Sequence, residues 1–253
     1  MRSYFDVDRK PWPTRLGPVE LPILYYNAAA VFASFLVDAS KAQAILPPEL
    51  KALPLWGGRA LVTIAFFQYV DSSVGPYNEM GLAVASEPVK GVFKDTAAWH
   101  WGKSMLPGMY VADLPVTTTI AHAAGHDCWG YPKIVVPIEF QLRDADLACA
   151  VRSEDNRDVL CNLAGRVGPR VKMATPNLMT YTLHKGQLLR TVIEMRGCMQ
   201  HGTAGQVRLQ CDGGGAHPLS ARLRALGLHG AKPLMVQTAQ GMHAILPAGV
   251  AVR

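Results

Sequence analysis

The chain has 253 residues, of which 49% are hydrophobic and 17% charged, so it carries enough apolar material for one large core. The basic residues behind the net charge of +6 are scattered rather than clustered, and we therefore expect no nucleic-acid partner. No run of about 18 apolar residues occurs, so we expect no membrane partner. The five cysteines form no CxxC pair, which predicts neither disulfides nor zinc and favours the cytoplasm.

Prolines and glycines are spread along the whole chain, which predicts many turns between short segments and favours a β-rich fold. We expect one domain spanning residues 1–253, in which residues 1–20 form an irregular N-terminal arm. Residues 21–37 are predicted as one or two buried strands, followed by a short helix that a Pro-Pro pair ends. Residues 60–70 are rich in β-branched and aromatic side chains and predict a central strand.

The second half of the chain predicts a sheet with a few helices. After a loop predicted at residues 71–79 and a further strand, residues 116–129 predict a helix with Gly130 directly after its end. A series of short strand candidates beginning with KIVVPIEF follows, as in an antiparallel meander or a barrel-like sheet. Residues 217–228 predict a second helix with its leucines on one face, and residues 235–246 predict a closing strand.

The phrase GHDCWGYPKIVVP places Lys133 directly after Pro132 and before three β-branched residues. An ammonium beside such an apolar run is exposed to desolvation, which lowers its pKa towards the value that a nucleophilic amine needs. From the residues alone, a strand-edge lysine with its amine in water is the more common arrangement.

The phrase GPYNEMGLAV places Glu79 between a Gly-Pro turn and an apolar strand. A carboxylate at a strand entrance can face a cleft and transfer protons, and Tyr77, two residues earlier, would point to the same face and donate a hydrogen bond. A solvated turn residue is the simpler explanation for an isolated glutamate.

Together, PYNEMGL and GHDCWGYPK resemble the acetoacetate decarboxylase family. The family's phrase G-R-E-x-x-x-Y-P-K-K carries a Schiff-base lysine, and the spacing from Gly125 to Lys133 matches it. The resemblance therefore implies that Lys133 is the nucleophile and that Glu79 is the acid/base group. We expect five further residues to bind the substrate: Tyr77, Trp129, Ala28, Val62 and Ile134. It also implies a mainly β (α+β) fold, in which an antiparallel β-cone or barrel-like sheet with a few peripheral helices holds the lysine in a pocket.

Three positions depart from the family pattern. Ile134 replaces a second lysine that adjoins the nucleophile, which leaves burial as the remaining way to activate Lys133. Ala28 stands where decarboxylases carry an arginine that faces the substrate, and Val62 stands where they carry a second glutamate. His126 and Asp127 replace the arginine and glutamate of G-R-E.

The resemblance implies a lyase that acts on a small β-keto acid or related oxo-acid through an imine on Lys133. The alternatives are an aldolase-dehydratase that condenses a 2-oxo acid such as pyruvate with an aldehyde, and a non-catalytic binder of a small apolar ligand. We expect no cofactor and no metal, and at least a homodimer. Histidines without a ligand pattern are expected to be structural and the alternating tryptophans of AWHWGK to pack against the sheet: His100, His122, His126, Trp99 and Trp101.

Overall fold

A computed structural model of the chain describes residues 4–89, 108–211 and 217–252. Trp99, His100 and Trp101 lie outside these ranges. None of the helices in the described ranges has the length and apolar character needed to span a bilayer.

Strands dominate the described residues, and three short α-helices and one 3-10 turn (Trp56–Gly58) accompany them. The strands are β1 (Lys10–Trp12), β2 (Val19–Leu21), β3 (Ile23–Asp38), β4 (Leu50–Ala52), β5 (Pro54–Leu55), β6 (Arg59–Ser72), β7 (Tyr77–Pro88), β8 (Met109–Asp113), β9 (Ile138–Arg143), β10 (Asp146–Arg152), β11 (Val159–Arg166), β12 (Arg170–Ala174), β13 (Leu178–His184), β14 (Gln187–Arg196), β15 (Cys198–Thr203), β16 (Arg208–Gln210), β17 (Met235–Leu246) and β18 (Val250–Ala251). The helices are α1 (Ala39–Gln43), α2 (Thr119–Trp129) and α3 (Pro218–Ala225).

Seven strands close into a barrel in the order β17, β3, β6, β7, β8, β13 and β14, because β14 also pairs with β17. Every neighbouring pair is antiparallel except β8 and β13, which run parallel. A separate four-stranded sheet, ordered β16, β11, β10 and β9, packs on the outer face. The predicted mainly β, barrel-like fold with few helices is confirmed.

Successive side chains along a strand point to opposite faces of the sheet, so the barrel strands contribute to two hydrophobic cores, one inside the barrel and one outside it. On β6, Val62, Ile64 and Phe66 join the outer core with the four-stranded sheet, whereas Ala65 and Phe67 face the barrel interior. The long apolar segments β3 and β6 are therefore buried on both faces, which explains why they read as continuous hydrophobic runs.

The helix predicted before the lysine phrase is present as α2. Thr118 accepts a hydrogen bond from the Ala121 amide through its hydroxyl at 3.4 Å, and Gly130 ends the helix in the left-handed conformation with φ of 70°. Trp129, the last helical residue, is fully buried, and its Nε1 donates to the Pro247 carbonyl at 2.9 Å.

Three local predictions differ from the structure. Tyr77 already belongs to β7, so the predicted loop at 71–79 is shorter than expected. The stretch after Lys133 makes only an isolated bridge between Val135 and Val116, because Pro137 lacks an amide hydrogen, and β9 starts at Ile138. Within the predicted irregular arm, β1 and β2 pair as a short antiparallel hairpin.

Candidate active site

Lys133 lies in an extended segment that leaves the end of α2. The Tyr131 amide donates to the Gly125 carbonyl at 3.2 Å and closes the helix end, and the Leu114 amide donates to the Pro132 carbonyl at 3.1 Å. These bonds attach the segment to the barrel wall. Lys133 is consequently fixed at its backbone, and its side chain points into the barrel, where it is 4% exposed.

The Lys133 ammonium contacts one carboxylate. Its Nζ donates to Glu79 Oε2 at 2.5 Å, and the Glu79 side chain is 8% exposed. Glu79 Oε1 accepts a hydrogen bond from the Tyr69 hydroxyl at 3.2 Å. Both carboxylate oxygens are thus held by neighbours, which fixes the orientation of Glu79 towards Lys133.

Tyrosines surround this ion pair. The ring of Tyr77 lies 5.7 Å from Lys133 Nζ, measured to its centroid, and its hydroxyl is 3.0 Å from that of Tyr25. The Tyr131 hydroxyl is 2.9 Å from Thr180 Oγ1. Hydroxyl groups therefore supply most of the hydrogen-bonding capacity near the pair.

Burial governs the electrostatics of these phenols. It raises the pKa values of Tyr25, Tyr69 and Tyr77, and the negative charge of Glu79 raises them further. Burial likewise raises the pKa of Tyr131. All four hydroxyls remain protonated at neutral pH and act as neutral hydrogen-bonding groups.

The pair opens onto an apolar cavity inside the barrel, with a volume of about 180 Å³. Among the described residues that line it, Glu79 and Lys133 are the charged ones, and no arginine is present. The rest of the described wall is apolar, aromatic or hydroxyl-bearing, apart from the carboxamide of Gln237. A ligand in this cavity meets a paired cation and anion in a low-dielectric setting, where both interact more strongly than in water.

The fold and this lysine phrase have known counterparts. The model of the family described as acetoacetate decarboxylase matches residues 10–192, a range that contains both Glu79 and Lys133. This chain belongs to the acetoacetate decarboxylase family. No protein of curated function matches it.

Solved structures of other proteins share the fold of this chain at low sequence identity. An acetoacetate decarboxylase aligns with a TM-score of 0.65 and 15% identity, covering 91% of this chain and 89% of the other. The acetoacetate decarboxylase of Legionella pneumophila aligns with a TM-score of 0.61 and 18% identity over 98% and 93% of the two chains. The enduracididine biosynthesis enzyme MppR, complexed with the condensation product of pyruvate and imidazole 4-carboxaldehyde, gives 0.61 and 13% over 97% and 90%.

Four of the residues that the family resemblance points to come together in the structure. Lys133, Glu79, Tyr77 and Trp129 all line the cavity. Tyr77 and Glu79 lie two positions apart on β7 and face the same side, as the strand period requires.

The other three predicted substrate-binding residues do not line the cavity. Val62 points into the outer core, and its neighbours Leu61 and Thr63 face the cavity instead. Ile134 also packs against the outer core, because consecutive residues of an extended segment point to opposite sides. Ala28 faces the barrel interior and is fully buried there, but it does not reach the cavity wall.

Sequence reasoning missed three tyrosines and one glycine. Tyr69 follows Ala65 and Phe67 at a spacing of two on β6, a signal that was readable once that strand was predicted. Tyr131 is part of the family phrase itself. Tyr25 precedes an irregularity in the pairing of β3, so residue spacing does not predict which way its side chain points. The contact of Gly125 with Lys133 crosses the end of α2 and is likewise not predicted by spacing along the sequence.

The histidines near the phrase lie outside the cavity. The rings of His122 and His126 stack with centroids 5.9 Å apart, and Arg15 lies 2.7 Å from His126 Nδ1. Arg15 also forms an ion pair with Asp127 at 2.6 Å. The two residues that replace the arginine and glutamate of the family phrase therefore attach the N-terminal arm to α2.

Proposed function

We propose that this protein is a Schiff-base lyase that decarboxylates a β-keto acid, with Lys133 as nucleophile and Glu79 as proton acceptor and donor. The observation that carries the proposal is the buried contact between Lys133 Nζ and Glu79 Oε2 at the wall of an apolar cavity whose other described lining residues are uncharged. Membership of the acetoacetate decarboxylase family supports it.

The first step needs a neutral amine. Glu79 is in direct contact with the ammonium and accepts its proton when a ketone enters. The amine of Lys133 then forms a bond to the carbonyl carbon, and one proton moves from the nitrogen to the carbonyl oxygen. That oxygen leaves as water after Glu79 gives it a second proton. The product is a protonated imine, and Glu79 is again a carboxylate.

The protonated imine then accepts the electrons of the bond that breaks. The bond between the α-carbon and the carboxylate breaks, carbon dioxide leaves, and the electron pair forms an enamine. Glu79, reprotonated from water, gives a proton to the α-carbon, and hydrolysis of the resulting imine releases a ketone and regenerates Lys133.

The apolar wall favours loss of carbon dioxide. A substrate carboxylate that enters this cavity loses much of its hydration, whereas neutral carbon dioxide needs little, so the environment favours the products of bond cleavage. The described lining has no arginine that would stabilise the carboxylate in the ground state. The tyrosine hydroxyls near Glu79 position the substrate carboxylate by hydrogen bonding and supply no full positive charge.

Condensation of a 2-oxo acid with an aldehyde is the second candidate. It shares the protonated imine, but the enamine forms when Glu79 removes an α-proton rather than when carbon dioxide leaves. The enamine then adds to an aldehyde carbon instead of taking a proton. The structural relative MppR, which carries a condensation product of pyruvate, favours this candidate. A 2-oxo acid would have to place its carboxylate among the tyrosine hydroxyls.

Borohydride trapping tests the proposal. The protein is incubated with acetoacetate or with pyruvate, reduced, and analysed by intact mass and peptide mapping. We expect an adduct on Lys133 whose mass shows that carbon dioxide has left. Lys133→Ala should give no adduct, and Lys172→Ala, which removes an exposed lysine on β12, should trap normally.

Two other results would change the assignment. When an aldehyde is added together with pyruvate, an adduct that keeps the pyruvate carboxylate and grows by the mass of that aldehyde would favour condensation. If neither compound gave an adduct while apolar ketones bound reversibly, the protein would be a binder of small apolar ligands on a decarboxylase fold.

A further inference from the structure

The cavity continues past the ion pair along β7. Tyr77, Glu79, Gly81 and Ala83 follow one another at a spacing of two and all line it. Tyr77 lies on one side of Glu79, and Gly81 and Ala83 lie on the other. The cavity therefore has a tyrosine side and a second side, which we call the apolar arm. The walls of the arm are mostly apolar: Phe32, Ser34, Thr63, Ala65, Gly81, Ala83, Met109, Val111, Met235 and Gln237.

Small side chains keep the apolar arm open. Gly81 pairs with Ala65 on β6, so two neighbouring strands present no large side chain at this level. The nearest atoms to a Cβ on Gly81 would be Leu114 Cδ1 at 3.4 Å and Ala65 Cβ at 4.0 Å, which is ordinary contact. Ala83 continues the row of small residues.

Polar groups in the apolar arm are already paired. Ser34 Oγ lies 3.1 Å from Thr63 Oγ1, and Gln237 Nε2 lies 3.0 Å from His201 Nδ1. None of the described residues of the arm carries a charge. A ligand there gains little from hydrogen bonding, so it is recognised by the apolar area that it buries.

The length of the arm sets the size of the group that fits. From Glu79 to Ala83 the strand advances four residues, which is about 14 Å at roughly 3.4 Å per residue. An extended alkyl chain advances about 1.25 Å per carbon, given a C–C bond of about 1.52 Å and an angle of about 111°. The arm therefore accommodates a chain of about ten carbons, far more than the methyl group of acetoacetate.

We infer that the substrate is a β-keto acid with a straight apolar chain of about six to ten carbons on the far side of its carbonyl. The carbonyl lies at Lys133, the carboxylate lies on the side of Tyr77, and the chain lies over Gly81 and Ala83. This inference rests on the proposed function of Lys133. It adds a class of substrate that the ion pair alone does not specify.

The test compares purified full-length protein on acetoacetate, 3-oxohexanoate and 3-oxodecanoate. Each buried methylene is expected to raise kcat/KM by about two- to four-fold. The ratio of kcat/KM for 3-oxodecanoate to that for acetoacetate should therefore exceed about 50. A ratio near one, with acetoacetate decarboxylated, would overturn the inference and leave the proposed function intact.

Ala83→Leu fills the arm and should lower that ratio at least ten-fold. Ala148→Leu, the same change at an exposed position of β10, should leave the ratio unchanged. A circular dichroism melt checks that both variants fold. An unchanged ratio in folded Ala83→Leu would contradict the placement of the chain over this strand.

Binding of decan-2-one, measured by calorimetry, separates the inference from the proposed chemistry. Ala83→Leu should weaken binding at least ten-fold, and Lys133→Ala, which cannot form an imine, should still bind the ketone. If no ketone is ever trapped on Lys133, but decan-2-one binds and Ala83→Leu weakens that binding, the proposed function is wrong and the inference that the apolar arm binds an alkyl chain is supported. If Lys133 is trapped but decan-2-one binds no more tightly than acetone, the arm fails.

Discussion

The side chain of Lys133 runs directly over Gly125 of α2. A Cβ built on Gly125 would overlap Cε of Lys133 and lie 2.6 Å from its Cδ and 3.1 Å from its Nζ. The absence of a side chain at Gly125 is therefore what lets the lysine stem cross the helix and reach Glu79. The glycine that opens the family phrase acts here as a positioning residue.

Gly125→Ala is expected to reduce imine formation on Lys133 by at least about 100-fold, because a displacement of roughly 1 Å costs that much. Helix propensity alone predicts that the same substitution raises the free energy of unfolding, since alanine stabilises a helix interior by about 1 kcal/mol relative to glycine. Single-turnover trapping with borohydride measures the first effect and urea unfolding measures the second. Normal trapping in this variant would show that the stem can pass an extra methyl group.

Lys133→Ala is expected to abolish turnover, whereas Glu79→Gln is expected to slow it by about 10² to 10⁴-fold while an imine still forms. The amide of Gln cannot accept the ammonium proton, but the lysine remains present. Steady-state rates and the time course of trapping measure the two effects separately. Full activity of Lys133→Ala would rule out the Schiff-base mechanism.

The ion pair also predicts a pattern in stability. Lys133→Met leaves Glu79 buried without its cation, and we expect it to lower the free energy of unfolding by about 3–5 kcal/mol. The double variant Lys133→Met, Glu79→Gln removes both charges and should recover most of that loss. Lys51→Met, which breaks the exposed pair with Glu87, should change it by less than about 1 kcal/mol.

Urea denaturation compares the free energies of unfolding of these proteins, with one slope of free energy against urea concentration used for all of them. The recovery in the double variant is the informative quantity, because it separates an unpaired buried charge from loss of packing. A double variant less stable than Lys133→Met would indicate that the pair contributes net stability to the fold.

The two tyrosine contacts of the site should differ in strength. Tyr69→Phe removes a hydrogen bond to the Glu79 carboxylate, a bond to a charged group worth about 1.5–3 kcal/mol, whereas Tyr25→Phe removes a bond between two neutral hydroxyls worth about 0.5–1.5 kcal/mol. We expect kcat/KM to fall more in Tyr69→Phe. Equal losses would indicate that Tyr69 does not orient Glu79.

The fold class followed from composition and from the family phrase, but side-chain direction did not. Residues 60–70 predicted a strand correctly, yet whether Val62 or Thr63 faces the cavity depends on a one-residue register that one sequence cannot fix when both faces are buried. Lys133 and Glu79 were recognisable because local phrases carry them. The contact between Gly125 and Lys133 depends on how the chain turns after α2, and that turn is determined by tertiary structure rather than by local sequence.

The link between the N-terminal arm and α2 predicts a pH dependence. The hydrogen bond from the Arg15 side chain lowers the pKa of Asp127 below its ordinary value of 3.8. The ionised carboxylate is thus favoured in the folded state, so its contribution to stability is present above pH 4 and is lost as the pH falls towards the folded pKa. Asp127→Asn should lower the thermal unfolding midpoint at pH 7, and its difference from wild type should shrink steadily below pH 4.

The control is Asp8→Asn, the same change at an exposed position of the arm, for which we expect no comparable difference at pH 7. Thermal unfolding at pH 7, 5, 4 and 3 supplies the comparison. Because α2 carries Gly125 and ends beside the lysine segment, loosening the arm should also reduce trapping on Lys133 slightly. A constant difference between Asp127→Asn and wild type at all four pH values would mean that the ion pair with Arg15 does not hold the arm.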